Sequence, residues 1–597
     1  MDARVFLRAW LLAGAVFLLA GCGGSDGGDG GTPPPAGGPG AGGGGPGGGN
    51  PGGGGGGGGT PADDGAPRYP ARPASDAEAA RFLTQATFGV TRADIARVKA
   101  IGYSAWIDEQ IAMSPSLVLP HLESVVARGF ERNQVSPQMR RNYWLWQAAN
   151  ANDQLRQRMG FALSEILVVS DREVADGNLT SYRIADYQDT LTRGAFGSYR
   201  SLLEQVSLHP AMGYFLSHVG NRKADPARNV APDENYGREV MQLFSIGLVK
   251  LNPDGTPVLD AEGNTIPTYD EQVVSAMARV FTGWTYAGQT DARFGRNDNT
   301  SYAPMECHPA FHDDKPKTIF DAVVVDEGSD CRASLARTLD ALARHPNVAP
   351  FISRQLIQRF VTSNPSPAYV RRVAKVWTDS NGNLGQVVKA ILLDNEARIP
   401  PADGDLAFGK AREPLIKVAT LWRTFGARYV PAPENGRVSF RFSNAGDLTT
   451  PIAQDSLRAP SVFNFFEPGY RLPGANGSEG ILAPEFQILT EANFLTAHNL
   501  FDNLIWNLAN EGQEVTENTT MPIVNLGPLV ALLAERKYDD AIEEINLLLF
   551  YGSFGAESKA ILKTMCTELA GINTQPRMIA RSLVLASLSS PEFAIQR

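Results

Sequence analysis

Twenty-five of the residues between Gly21 and Thr60 are glycine, and this stretch sets where a fold can begin. Glycine has no side chain to bury and loses the most backbone freedom on ordering, so such a run stays a flexible coil. A Gly-rich coil of this length spans roughly 35 Å between its ends, enough to hold a folded body clear of a surface. Proline, aspartate and arginine continue the coil to about Pro73. The chain therefore divides into residues 1–21, a flexible tether over 22–73, and a folded body over 74–597. That body is long enough to be one large unit or two helical subdomains.

The residues ahead of the coil indicate what it tethers. Arg4 and Arg8 precede an apolar run from Ala9 to Ala20, which is too short to span a bilayer as a permanent helix. The run ends in Leu19-Ala20-Gly21-Cys22, which resembles a bacterial lipobox. On that reading residues 1–21 are a lipoprotein signal peptide, and Cys22 is the lipidation site whose acyl chains, palmitate among them, enter the membrane. Gly23, rather than aspartate, follows the cysteine and resembles an outer-membrane sorting signal. The expected location is the bacterial cell envelope, lipid-anchored at the outer membrane. A net charge of -10 argues against a nucleic-acid partner. Export permits Cys307 and Cys331 to form a disulfide, leaving Cys566 buried and free. Closing that loop stabilises the fold by roughly 3–4 kcal/mol on loop-entropy grounds.

Beyond residue 74, helix starts recur with their caps. Ser75 with Glu78, Thr91 with Asp94, and Ser136 before Pro137 each precede apolar residues at helical spacing, and Tyr269-Asp270-Glu271 leads into another helix through Val273, Val274, Met277 and Val280. Two turns, Asn252-Pro253-Asp254-Gly255 and Asp260–Asn264, enclose short apolar pieces and predict a β-hairpin. Their acidic residues lack the full spacing of a calcium loop, which favours plain turns. Residues 286–332 form a long polar loop, Arg437–Phe442 alternates like an isolated strand, and Ser461–Phe466 is an apolar island. A helix is expected again over Glu485–His498. The fold class is mainly α: a large multi-helical body with a small β-hairpin and long loops.

Asp233–Gly247 is the central segment of this body. Asp233 reads as its N-cap and Gly247 as its stop, with Tyr236, Val240 and Leu243 at core spacing and Asn235, Arg238, Glu239 and Gln242 on a polar side. With Phe82–Gly89, Ala278–Trp284, His345-Pro346, Ser353–Ile357, Ile391–Asp394 and Arg412-Glu413-Pro414, the segment Glu234–Glu239 resembles the bacterial family of domain of unknown function 1800 over about residues 75–597. The resemblance implies an exported protein and supplies no catalytic residue. Gly237 departs from it, because the family usually has alanine there.

The polar groups define the chemistry to be sought. Glu239 with His209 is a candidate acid–base pair, and Arg238 a candidate partner for an anionic substrate. His209, Glu239, His312 and Asp313 offer ligand atoms for a divalent metal such as Zn²⁺. The bland alternatives are a Glu234–Arg238 helix salt bridge and a histidine ending a helix before Pro210. No standard hydrolase, nucleotide or dinucleotide motif is present in the sequence. Two function classes follow: an anchored interaction or assembly protein with an envelope-protein or glycan partner, and a metal-assisted or acid–base hydrolase of an anionic or carbohydrate substrate. The first expects the central polar groups to pair internally. The second expects them to converge on a pocket.

Overall fold

The computed structural model describes residues 66–597 except 128, 130, 175–179, 298–301, 403–404, 406, 428–447, 473–479 and 509–523. Cys22, the signal segment, the tether as far as residue 65 and the expected strand at Arg437–Phe442 lie outside the described residues. The last residues assigned to the tether, 66–73, lie against the body: the Tyr69 hydroxyl donates to the Leu393 carbonyl, and the Ala71 carbonyl accepts from the Tyr103 amide at 3.2 Å.

Helices begin where short polar side chains satisfy their first free amides. Ser75 Oγ accepts from the Glu78 amide at 3.1 Å, Thr91 Oγ1 from Asp94 at 3.1 Å, Ser136 Oγ from Met139 at 3.3 Å and Asp270 Oδ1 from Val273 at 3.0 Å. These caps open the helices Asp76–Ala86, Arg92–Ile101, Pro137–Asn150 and Glu271–Val280. Much of the packing joins helices near one another in sequence: Gln154–Ser164 on Thr180–Gly194, Asn235–Gln242 on Glu271–Val280, and Val348–Phe360 on Pro367–Asp379. The body is mainly α, with two buried apolar clusters as its core.

The strands are small. Three two-stranded antiparallel sheets pair Trp284–Thr285 with Glu306–Cys307, Lys317–Thr318 with Val324–Val325, and Lys410–Ala411 with Ile595–Gln596. The expected turns form after Asn252 and Asp260, but isolated bridges, including Leu251 with Pro257 and Val249 with Pro267, replace a continuous hairpin ladder. Pro257 and Pro267 have no amide hydrogen to donate, which interrupts the pairing. Asp254 and Asp260 accept hydrogen bonds from their own turns, the plain-turn arrangement. Cys307 and Cys331 form a disulfide with Cα atoms 5.7 Å apart, joining the long loop to the start of helix Cys331–Arg344. Cys566 is buried and free. Residues 484–487 form a 3₁₀ turn and the helix expected from Glu485 starts only at Glu491.

The central helix is shorter than its sequence signal, Asn235–Gln242, with Asp233 Oδ1 accepting from the Asn235 amide at 2.8 Å. Glu239 is a correction: it turns inward and is 7% exposed, leaving the polar side to Asn235, Arg238 and Gln242. Gly237 permits the close crossing with helix Glu271–Val280. A Cβ there would lie 3.1 Å from the Ala278 amide nitrogen and the Met277 carbonyl carbon. Alanine gains up to about 1 kcal/mol in helix propensity, but backbone atoms yield poorly. Gly237→Ala is expected to lower stability by about 1 kcal/mol net. Urea unfolding checks this, and a stabilised variant would refute the close-packing explanation.

Candidate functional site

The expected catalytic and metal-binding groups occupy separate environments. His209 Nδ1 accepts from the Ala211 amide at 3.1 Å, so Nε2 carries the hydrogen towards Asp186 Oδ2 at 3.3 Å. Burial lowers its pKa more than Asp186 raises it, keeping the ring neutral. Arg238 pairs with Glu271 at 3.2 Å and with Glu234 at 3.3 Å, the surface arrangement anticipated by the four-residue spacing. Glu239 Oε2 is buried without a hydrogen-bond partner among the described residues, and burial raises its pKa against the opposing charge of Arg238.

His312 sits between Thr282 and Ser334, with Nδ1 2.8 Å from the Thr282 carbonyl and Nε2 2.9 Å from Ser334 Oγ. Asp313 forms a bidentate pair with Arg279 at 2.9 and 3.0 Å. None of His209, Glu239, His312 and Asp313 is paired with another. Among the described residues, no three His, Cys, Asp or Glu side chains gather in a metal-binding arrangement. His209 instead lines a polar cleft of about 490 Å³ with Asp186, Arg193, Glu204 and Tyr302.

A denser set of charges lies elsewhere. Arg158, Glu165, Arg359, Lys410, Glu413 and Glu485 are all at most 5% exposed. Lys410 Nζ reaches Glu413 at 3.2 Å, Glu485 at 3.1 Å and the Arg359 carbonyl at 3.1 Å. The Gln454 amide donates to Glu413 Oε2 at 2.8 Å and to Glu165 Oε1 at 3.2 Å. Arg359 Nε lies 3.5 Å from Glu165 Oε2, and an Arg158 amino group donates to the Arg359 carbonyl at 3.2 Å. Burial and the neighbouring Glu413 push Glu165 up to about 8, despite the opposing charge of Arg359. Burial also raises Glu413, but Lys410, Arg359 and Arg158 outweigh it and hold that carboxyl below its usual value. The pair thus consists of a protonated acid at Glu165 and an ionised carboxylate at Glu413 at neutral pH.

Glu165 and Arg359 also reach the surface of a cleft of about 640 Å³. One wall comes from the chain just after the central helix, where Gly247 adopts φ +70° and a Cβ would strike the Phe351 ring at 2.9 Å. Asn347 fixes this wall by donating to the Ile246 and Val249 carbonyls at 2.8 and 2.7 Å and accepting from the Leu251 amide at 2.9 Å. The opposite wall is the apolar island, held where Gln358 donates to the Pro468 carbonyl at 3.2 Å. Leu243, Leu248, Phe351, Val462, Phe463 and Phe466 make the lining largely apolar. Leu248 and Phe463 remain 56% and 46% exposed at its mouth. A concave apolar cleft with a few polar groups in it is the usual form of a ligand site.

Residues 81–595 match the family described as a protein of unknown function, DUF1800. The chain is a mainly α protein whose cleft is assembled from segments far apart in sequence, and it belongs to that family. Comparison with curated proteins and with solved structures finds no match. The family motifs Ser353–Ile357 and Arg412-Glu413-Pro414 contribute to the cleft wall and the charge cluster beneath it.

Glu165 ties this cluster to pH. The folded protein keeps its proton to about pH 8, whereas the ordinary value is 4.5. Between those values the unfolded chain binds fewer protons, so this group's contribution falls as pH rises and levels off above about 8. Glu165→Gln removes that fall. The difference in urea-unfolding free energy between wild type and E165Q should therefore shift against the wild type from pH 5 to 8; a constant difference would contradict the protonated state.

Proposed function

We propose that this chain is a lipid-tethered cell-envelope protein that acts by binding, with the cleft beside Phe351 as its ligand site. The apolar lining, open at Leu248 and Phe463 and closed below by Glu165–Arg359, carries this reading. Apolar walls favour an acyl or aromatic ligand, because burying such a group releases roughly 25 cal/mol per Å². They also favour it over a bare glycan, which needs many polar partners. The Cys307–Cys331 disulfide fits an oxidising compartment outside the cytoplasm. The lipobox-like Leu19–Cys22 supplies the attachment, and no described helix is long and apolar enough to cross a membrane.

Acid–base hydrolysis is the second reading, supported by one observation: the proton-bearing Glu165 lies at the cleft beside Arg359. Product formation from a bound ester would favour it; unchanged ligand would favour binding alone.

Calorimetry with octanol tests the cleft. Full-length protein should bind it, and Leu248→Asp with Phe463→Asp should weaken binding at least about tenfold, the scale of losing one buried apolar side chain. Retained affinity in a folded double variant would contradict the assignment. Labelling with a fatty acid should mark wild type and spare Cys22→Ala; equal labelling would remove the anchor.

A further inference from the structure

The polar groups around the cleft are unequal in kind. Gln355 Nε2 and Asn464 Nδ2 are buried, line the cleft and have no hydrogen-bond partner among the described residues. Both side chains belong to residues more than nine-tenths buried, at 8% and 6% exposed. Arg354 also lines the cleft, half-buried, and no described acceptor pairs with its guanidinium. Arg471 contributes a second guanidinium, exposed at the rim and likewise without a described acceptor. Burial and the nearby charge of Arg471 lower the pKa of Arg354, the signature of cations held close without a counter-ion.

Every one of these groups is a donor. A buried donor left unpaired costs about 1–3 kcal/mol in general, so the two buried amides, with two unpaired guanidinium groups beside them, call for an acceptor that the chain does not itself supply. The carboxylates on the lining do not fill that role. Glu165 is turned to Arg359 and Gln454 and carries a proton, and among the described residues Glu467 forms no ion pair with either arginine.

Resting on the binding reading above, we infer that the ligand is an amphipathic oxyanion, its carboxylate or phosphate held by Arg354, Arg471, Gln355 and Asn464 and its apolar body laid against Leu248 and Phe463. Guanidinium and amide donors fit the oxygens of either head group, and Arg is the side chain best shaped for both. An alkyl or aryl body fills the rest of the cleft, which lies within the range of small-ligand sites. Neither a neutral lipid nor a bare inorganic anion satisfies both halves.

Three probes of equal chain length separate the contributions: octanoate, octyl phosphate and octanol, each titrated into full-length protein. Both anions should bind at least about tenfold more tightly than octanol, the least expected of a charge-assisted hydrogen bond. The stronger of the two identifies the head group. Arg354→Met should erase most of that preference while weakening octanol far less than either anion, and an unchanged urea-unfolding midpoint shows that the variant is folded. Should Arg354→Met fail to fold, Arg471→Met at the exposed rim should reduce the preference in the same direction. Equal affinity for octanol and both anions overturns the inference but leaves an apolar ligand site intact. Loss of octanol and anion binding together in R354M also overturns it. Failure of all three probes to bind the wild type removes the ligand site itself.

Discussion

The buried ionic cluster is the constraint on which the arrangement of this body depends. Arg158, Arg359 and Lys410 face Glu165, Glu413 and Glu485, with Gln454 bridging two of the carboxylates. Each ion removed from water costs several kcal/mol, which only close pairing and further hydrogen bonds offset. Such groups tolerate little displacement, so helices Gln154–Ser164 and Val348–Phe360, the strand Lys410–Ala411 and the turn at Pro484–Gln487 are held in one register. A separate cluster does similar work nearby: Asp171 accepts from Arg140, Arg141 and Arg458 at 3.0, 2.7 and 2.6 Å. There burial alone would raise the carboxyl, and the three arginines bring it below its usual value.

The cleft follows from that register. Arg359 extends from the cluster to the cleft and stacks 4.6 Å from the centre of the Phe466 ring, joining charged floor to apolar wall. Asn347 and Gln358, on or beside the same helix, hold the two walls through backbone carbonyls. The site therefore inherits its shape from rigid helices, while the segments around Leu248 and Phe463 supply the open, apolar edge.

Much of the helical fold was legible in the sequence because caps are local. Ser75, Thr91 and Ser136 each meet an amide three residues away, as Asp270 does, and the spacing of the first three alone announces them. The hairpin was harder because Pro257 and Pro267 weaken its pairing. The site was largely hidden. Its charges run from Arg158 to Glu485, with no local periodicity to link them, and a lone glutamate after an apolar helix looks like a surface residue. His209, Glu239, His312 and Asp313 attracted notice by residue type, yet the partners of His209, His312 and Asp313 come from different segments, and Glu239 Oε2 has none among the described residues. Glu239 lies within the helix Asn235–Gln242 but at the edge of its polar side, three residues from Tyr236 and four from Leu243, where spacing alone does not decide which way a side chain turns. Two sequence features fall on the cleft, the apolar island Ser461–Phe466 and the motif Ser353–Ile357, but nothing local in either marks a cavity.

These features join into one account: a fixed set of buried charges shapes an apolar cleft whose remaining donors seek an anionic head group. A crystal structure with an ω-bromo alkyl carboxylate tests it most directly. The account predicts anomalous bromine density against Leu248 and Phe463, with the carboxylate oxygens within hydrogen-bonding distance of Arg354 and Gln355. Bromine density at another cleft, or a reversed ligand with its carboxylate at the apolar mouth, would contradict it.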